Sequence, residues 1–319
     1  MLRDLTVQNY RCFDNFHIDG LEQVNLFVGN NNSGKTSLLE AIYLLVNSDK
    51  KATLMEIIDN RTTYFFDDDT LFYSVNHLFY GRNVNQQDKI KIASNQSVYQ
   101  QIILNFFYIN QEKYSFEHSR KSLQFSEEYS VEAEEDNKII KKTNKNNIIS
   151  LENEEYIEIK RRIKRNNYMQ TGTKISNCIF VSINKFLFDK VTLMWDAIDL
   201  TPKENKIIEA LIIIDSNLER ISFSSSNNAN LIRLKLKNIE SPIPLSSMGD
   251  GMYRILTLAM SLVTAEDGVL LVDEIETGLH YEAQSDMWRL ILETAKELYV
   301  QVFATTLCWD CIAAFLDAV

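Results

Sequence analysis

"GNNNSGKT" (29–36) fits the spacing G-x-x-x-x-G-K-[ST], and its flanks are the ones that spacing requires. The apolar run VNLFV (24–28) precedes it and predicts a strand. SLLEAIYLLV (37–46) follows, with Leu38, Ala41, Ile42 and Leu45 on one face of a predicted helix. A strand, a glycine-bounded loop and a helix in that order make a cradle for phosphate. Backbone N–H groups of the loop and the positive end of the helix dipole converge on an anion. Gly29, Asn30, Asn31, Asn32, Ser33, Gly34, Lys35, Thr36 and Ser37 are therefore the candidate nucleotide-binding residues. Lys35 supplies a point charge for the β- and γ-phosphates, and the Thr36 hydroxyl is a ligand for Mg²⁺. A chance match in a turn would not carry these flanks.

GVLLVDEIE (268–276) reads as a buried strand ending in two acids. Ligands of open α/β sheets collect at the carboxyl ends of the strands, which puts Asp273 beside the loop. There it holds Mg²⁺ directly or through water. Glu274 points differently and is the candidate to orient or deprotonate an attacking water, so Glu274, Asp273 and Lys35 form the candidate catalytic set. The plain alternative is a strand that leaves the core through acidic residues, and Glu276 reads as structural or exposed. Guanine-reading proteins often carry N-K-x-D. The near match NKFL (184–187) lacks the acid, so ATP is the expected nucleotide.

A third stretch, LSSMGDGMYRILTLAMSLV (245–263), lies just upstream of the acidic strand. Met252, Ile255, Leu256, Ala259 and Leu262 share a helical face, and the serine–glycine turn before them is a second anion site at a helix N-terminus. One nucleotide would not ordinarily need both. Five of the nine glycines, Gly29, Gly34, Gly249, Gly251 and Gly278, fall in these loops, where close approach or positive φ is expected.

SSMGDG resembles the signature loop of ABC-type ATPases, and the order of phosphate loop, long insertion, signature and acidic strand is theirs. The opening LTVQNYRCF resembles the first strand of the RecF, SMC and OLD group. LMWDAIDLTPKENKIIEALIIID and LSSMGDGMYRILTLAMSLV…GVLLVDEIETGLHY are similar to the OLD-like ATPases, often described as AAA-type, of bacterial anti-phage loci. The resemblance covers most of the chain outside 83–170. It implies an α/β ABC-type P-loop ATPase head with a mixed or parallel central sheet, an antiparallel β subdomain and a helical or polar insertion. It also implies ATP and Mg²⁺ as cofactors and a homodimer in which the signature of one chain closes on the ATP of the other. Ser247 and Gly249 then touch the γ-phosphate in trans, Arg11 joins the nucleotide-binding residues, and His280 lies either at the interface or in a capping or core position.

Composition bounds the rest. With 45% hydrophobic residues the chain can bury a sizeable core, and the apolar runs ALIII (210–214) and GVLLV (268–272) are far too short to span a membrane. The opening residues have no signal-peptide h-region, and four scattered cysteines do not make a disulfide framework, so a cytoplasmic setting is expected. A net charge of −11 excludes wrapping of nucleic acid over the whole surface. KRRIKR (160–165) is a candidate local contact for DNA phosphates, or simply a solvated face. The expected organisation is one composite ATPase domain, with 1–125 and 171–319 as its two parts and 126–170 as a polar, partly mobile insertion. Gln86 and Gln87 are candidates for a Gln-loop.

ATTLCWDC (304–311) carries a C-x-x-C at a predicted helix start. That spacing suits a low-pKa redox thiol, but no thioredoxin-like unit surrounds it, and a zinc site lacks paired partners. In the resembling family the strand here ends in Thr-Thr-His, whose histidine contacts the γ-phosphate. Leu307 stands at that position. Chains of that group also continue past this helix with further strands, whereas this sequence ends at Val319. Four readings follow: an ATPase that controls a soluble effector, of the nuclease kind, in anti-phage defence; a nucleotide-sensing scaffold that scarcely hydrolyses; a DNA-repair ATPase of the RecF kind; and a transporter cassette, against which the RecF-like first strand argues.

Overall fold

Parallel strands with helices between them build the central sheet, and its middle pair is fully enclosed. Val269–Val272 (β13) and Gln301–Thr306 (β14) are buried at every position, as strands covered on both faces must be. The computed structural model describes residues 1–47, 53–54, 56–58, 65–67, 70–72, 76–82, 89–95, 101–110, 121–128, 177–182, 188–213, 215–226 and 229–319. The chain divides into two units, which do not follow sequence order. The first comprises residues 1–21 and 40–175, the second 22–39 and 176–319. Most of the expected polar insertion, KRRIKR, NKFL and the glutamines 86–87 lie outside the described residues.

In the first unit, Leu5–Tyr10 (β1), Phe13–Ile18 (β2), Lys89–Ala93 (β6), Gln101–Asn110 (β7) and Lys121–Glu128 (β8) form an antiparallel sheet in the order β2-β1-β6-β7-β8. Phe65–Asp67 (β4) and Thr70–Phe72 (β5) make a separate hairpin. The buried Asp4 caps the β6 end, accepting from Ser94 Oγ at 2.6 Å and from the Asn95 N–H at 3.0 Å. The helix Lys35–Val46 (α1) belongs to the second unit through residue 39 and to the first from residue 40. It is buried on more than the expected face, since Leu39, Tyr43 and Leu44 are as enclosed as Leu38 and Ile42.

In the second unit, Val24–Val28 (β3), β14, β13 and Cys178–Val181 (β9) form an all-parallel sheet in the order β3-β14-β13-β9. Leu218–Ser226 (β10), Ala229–Leu236 (β11) and the short Ile243–Pro244 (β12) add an antiparallel sheet. Helices Phe188–Ile198 (α2), Lys203–Ile212 (α3), Asp250–Thr264 (α4), Tyr281–Glu297 (α5) and Trp309–Ala318 (α6) surround one core. α4 is the most enclosed of these, buried at every position from Ile255 to Val263. α6 is pinned to α5 through Trp288, whose Nε1 donates to the Cys311 carbonyl at 3.2 Å and whose ring meets Phe315 edge-on at 4.8 Å.

Candidate functional site

The parallel register assembles the site. Val28 lies opposite Thr306 and Val272 opposite Ala304, so the segments beginning at Gly29, Asp273 and Leu307 leave one edge of one sheet. The loop curls around its own lysine. Lys35 Nζ donates to the carbonyls of Gly29 at 2.6 Å and Asn30 at 2.9 Å, while Asn30 to Ser33 are exposed. A Cβ at Gly29 would lie 2.7 Å from Ser33 Oγ, so any larger residue there would have to turn the serine hydroxyl aside.

The Thr36 hydroxyl donates to Asp273 Oδ2 at 2.8 Å, which joins the loop to the acidic strand. Asp273 is almost wholly buried, and its Oδ1 accepts from Thr305 Oγ1 at 2.7 Å. The same Thr305 oxygen accepts the Glu274 N–H at 2.9 Å. Glu274 has φ 44°, a left-handed conformation that costs a non-glycine residue about 1 kcal/mol. Its carbonyl accepts from Arg254 Nη2 at 2.8 Å and from the Thr277 N–H at 3.0 Å, and the next N–H, of Ile275, donates to the Thr305 carbonyl. Both sides of the strained residue are thus tied down.

Arg254, Thr305 and Glu276 escaped the sequence reading as site residues. Arg254 sits one turn into α4, and its Nη2 also donates to the Asp273 carbonyl at 3.0 Å. Burial pulls its pKa below the ordinary arginine value, with Glu276, Asp273 and Glu274 acting the other way, and it remains charged at neutral pH. Glu276 is neither exposed nor idle, for its Oε1 accepts the Leu307 N–H at 3.3 Å. Arg254 Nε and Glu276 Oε2 are buried with no hydrogen-bond partner among the described residues. The one available signal was a lone arginine inside the apolar run MYRILTLAM.

The remaining candidates lie as follows. Ser247 and Gly249 are exposed, in a turn that leads into α4, and Ser247 Oγ donates to the Pro244 carbonyl at 2.6 Å rather than to the phosphate loop. The N-terminus of α4 has no side-chain cap. Gly251 packs under the Gly278 carbonyl, which a Cβ would meet at 3.1 Å, so the SSMGDG and ETGLHY turns touch within one chain. His280 is exposed, which removes its core reading, and it occupies the N-cap position of α5 without a side-chain cap hydrogen bond. Its ring lies 4.4 Å from that of Tyr281. Arg11 belongs to the first unit, where its Nε is 2.7 Å from Glu40 Oε2 and also donates to Tyr10 Oη. Leu307 is about half exposed. Burial pushes the Cys311 thiol up to about 11, so this thiol is protonated at neutral pH and is not itself a nucleophile, while Cys308 at the helix start is only half-buried.

The donor set suits a hard cation. The Thr36 hydroxyl and the Asp273 carboxylate are oxygen ligands of the kind Mg²⁺ takes one or two of, alongside phosphate and water. Among the described residues no group of three or more His, Cys, Asp or Glu side chains is arranged to hold a metal ion.

A glycine-lysine loop and a strand-terminal aspartate, joined at the edge of a parallel sheet, define a P-loop nucleotide-binding head of the ABC type. The chain belongs to the AAA ATPase domain family, whose model matches residues 1–312. It is 25% identical over 329 residues to the ATP/GTP phosphatase of Helicobacter pylori, covering 96% of this chain and 85% of that protein. It is 52% identical to the DNA replication and repair protein RecF of Lactobacillus acidophilus over 44 residues only, 14% of this chain and 12% of that one. Its fold matches a crystal structure of the Smc head domain with an extended coiled coil, bound to the C-terminal domain of ScpA and derived from Pyrococcus furiosus. The TM-score is 0.50 at 12% identity, with 98% of this chain and 91% of that one covered. No helix among the described residues is long and apolar enough to cross a membrane.

Proposed function

We propose that this chain binds ATP with Mg²⁺ and hydrolyses it to ADP and phosphate. The observation that carries this reading is the 2.8 Å hydrogen bond between Thr36 and Asp273, which joins the phosphate loop to the acidic strand. Loop residues 29–37 would hold the phosphates, and Lys35 would exchange its two loop carbonyls for phosphate oxygens. Thr36 and Asp273 would hold Mg²⁺, which when bound neutralises developing charge on the transferred phosphoryl group. Glu274 would orient the attacking water and accept its proton. The name of the Helicobacter relative covers both ATP and GTP, so both nucleotides belong in the assay. Lys35→Ala tests the binding step. ATP affinity should be lost in a protein with an unchanged circular dichroism spectrum, and retained affinity would overturn the assignment.

Two chains are taken to pair head to tail, with Ser247 and Gly249 of one completing the nucleotide site of the other. The exposure of that turn and its uncapped helix end support this. Light scattering of Glu274→Gln with ATP–Mg²⁺ should give a doubled mass, and adding Ser247→Arg should abolish the doubling. The paired form would act in the cytoplasm on a soluble effector, of the nuclease kind, in anti-phage defence. The OLD-like resemblance of LSSMGDGMYRILTLAMSLV and GVLLVDEIETGLHY supports that role, and KRRIKR is the candidate for local DNA contact. A second reading, a nucleotide sensor that turns over slowly, is favoured by one observation: the residue that follows β14 at this sheet edge is Leu307, where the family resemblance would put a γ-phosphate histidine.

A further inference from the structure

We infer that Arg254 is a positioning residue that sets the direction of Glu274, and that it ties Glu274 to the turn at the head of α4. The inference rests on the proposed role of Glu274 in hydrolysis.

Arg254 is the fifth residue of α4, one turn beyond the Gly249–Gly251 segment that would meet a nucleotide in trans. A single nitrogen of its guanidinium donates to two consecutive carbonyls, those of Asp273 and Glu274. These belong to the two peptide planes on either side of Glu274, the residue at which the chain, having left β13, turns left-handed. A residue at φ 44° has an extended alternative that would swing its side chain away. The Arg254 bond on the carbonyl side and the Thr305 bond on the amide side oppose that swing. Rotation of the first turn of α4 would move Arg254, and through the carbonyl it would move Glu274.

The charges around the guanidinium suit this task. Most of its donors face backbone or nothing, and no carboxylate forms an ion pair with it among the described residues. Glu276 stabilises its charge from beyond ion-pair distance. Arg254 Nε and Glu276 Oε2 each retain an unused buried hydrogen-bonding position. A closed Arg254–Glu276 pair would leave less of the guanidinium for the two carbonyls. Glu276 in turn holds the Leu307 N–H, so the segments after β13 and β14 share this anchor.

The test is a double-mutant cycle of Arg254→Lys with Glu274→Gln, read as kcat, KM for ATP and the dissociation constant for ATP. Lysine keeps the charge and loses the planar donor. Alone, Arg254→Lys should lower kcat roughly ten- to a hundredfold, the scale expected for a misdirected catalytic group, with KM and ATP affinity within about twofold. In the Glu274→Gln background it should lower kcat no further. An equal fall in both backgrounds, an unchanged kcat, or a loss of ATP affinity would overturn the inference while leaving the hydrolysis reading intact. An unchanged kcat in Glu274→Gln alone would overturn both. Arg254→Gln, which keeps an amide donor without the charge, carries the same cycle should the lysine variant fail to fold. If neither variant folds, Arg254 is a structural tie and the inference fails.

Discussion

Replacing Thr305 with valine should destabilise the protein far more than its small change in volume suggests. Thr305 is fully buried, and its single hydroxyl serves two neighbours, donating to Asp273 at 2.7 Å and accepting the Glu274 N–H at 2.9 Å. Valine keeps the shape and leaves both groups short of a partner. Asp273 retains its bond from Thr36, so its loss falls at the lower end of the range for buried groups. Together the two deletions should remove roughly 2–4 kcal/mol. For a chain of this length unfolding as one unit, that lowers the melting temperature by about 3–6 °C. Thr305→Ser keeps the hydroxyl and removes one methyl, which costs about 1 kcal/mol. Urea unfolding followed by circular dichroism measures all three proteins. If valine costs less than about 1 kcal/mol, or serine as much as valine, Thr305 does not hold the acids as described. Valine should also slow turnover, because Glu274 loses the tie on its amide side.

Leu307→His should raise kcat roughly ten- to a thousandfold, since a histidine donor would stabilise charge that leucine cannot. The position is about half exposed and anchored by its backbone, so the fold should tolerate the change, and Glu274→Gln in the same chain should abolish the gain. Cys311 should resist iodoacetamide at pH 8 while the exposed Cys12 is labelled, as mass spectrometry of the folded protein would read. Burial raises the Cys311 pKa from 9.0 to about 11, which reduces its thiolate at pH 8 by about a hundredfold. The sign also fixes a stability trend. The folded state holds this proton more tightly, so the contribution is full below about pH 9 and is lost as pH rises towards about 11.

The parts of the site that are local in sequence were legible, and the parts made by register were not. The loop at 29–36 announces itself because glycine, lysine and threonine act within one turn of each other. Asp273 could be read because an apolar run ending in acids marks the end of a buried strand. Thr305 and Arg254 gave no such mark. Their roles exist only because β14 lies beside β13 and the Arg254 side chain of α4 reaches the carbonyls that follow β13. The strand Phe13–Ile18 went unread for a different reason. It is a sheet edge with mixed polar and apolar positions, so neither a buried run nor a clean alternation betrays it. β9 is four residues long and follows a long polar stretch, and only its pairing with β13 makes it a strand of the central sheet. The C-x-x-C spacing was the opposite case, a clear pattern whose second cysteine is buried and protonated while the first is half-buried.

Phosphate release from ATP by the wild-type chain and by Glu274→Gln, at saturating Mg²⁺, tests the central claim most directly. Slow but measurable release by the wild type, falling at least tenfold in Glu274→Gln with ATP affinity unchanged, is the expected result. Equal release by the two proteins would contradict it, and Glu274 would then have no part in the chemistry.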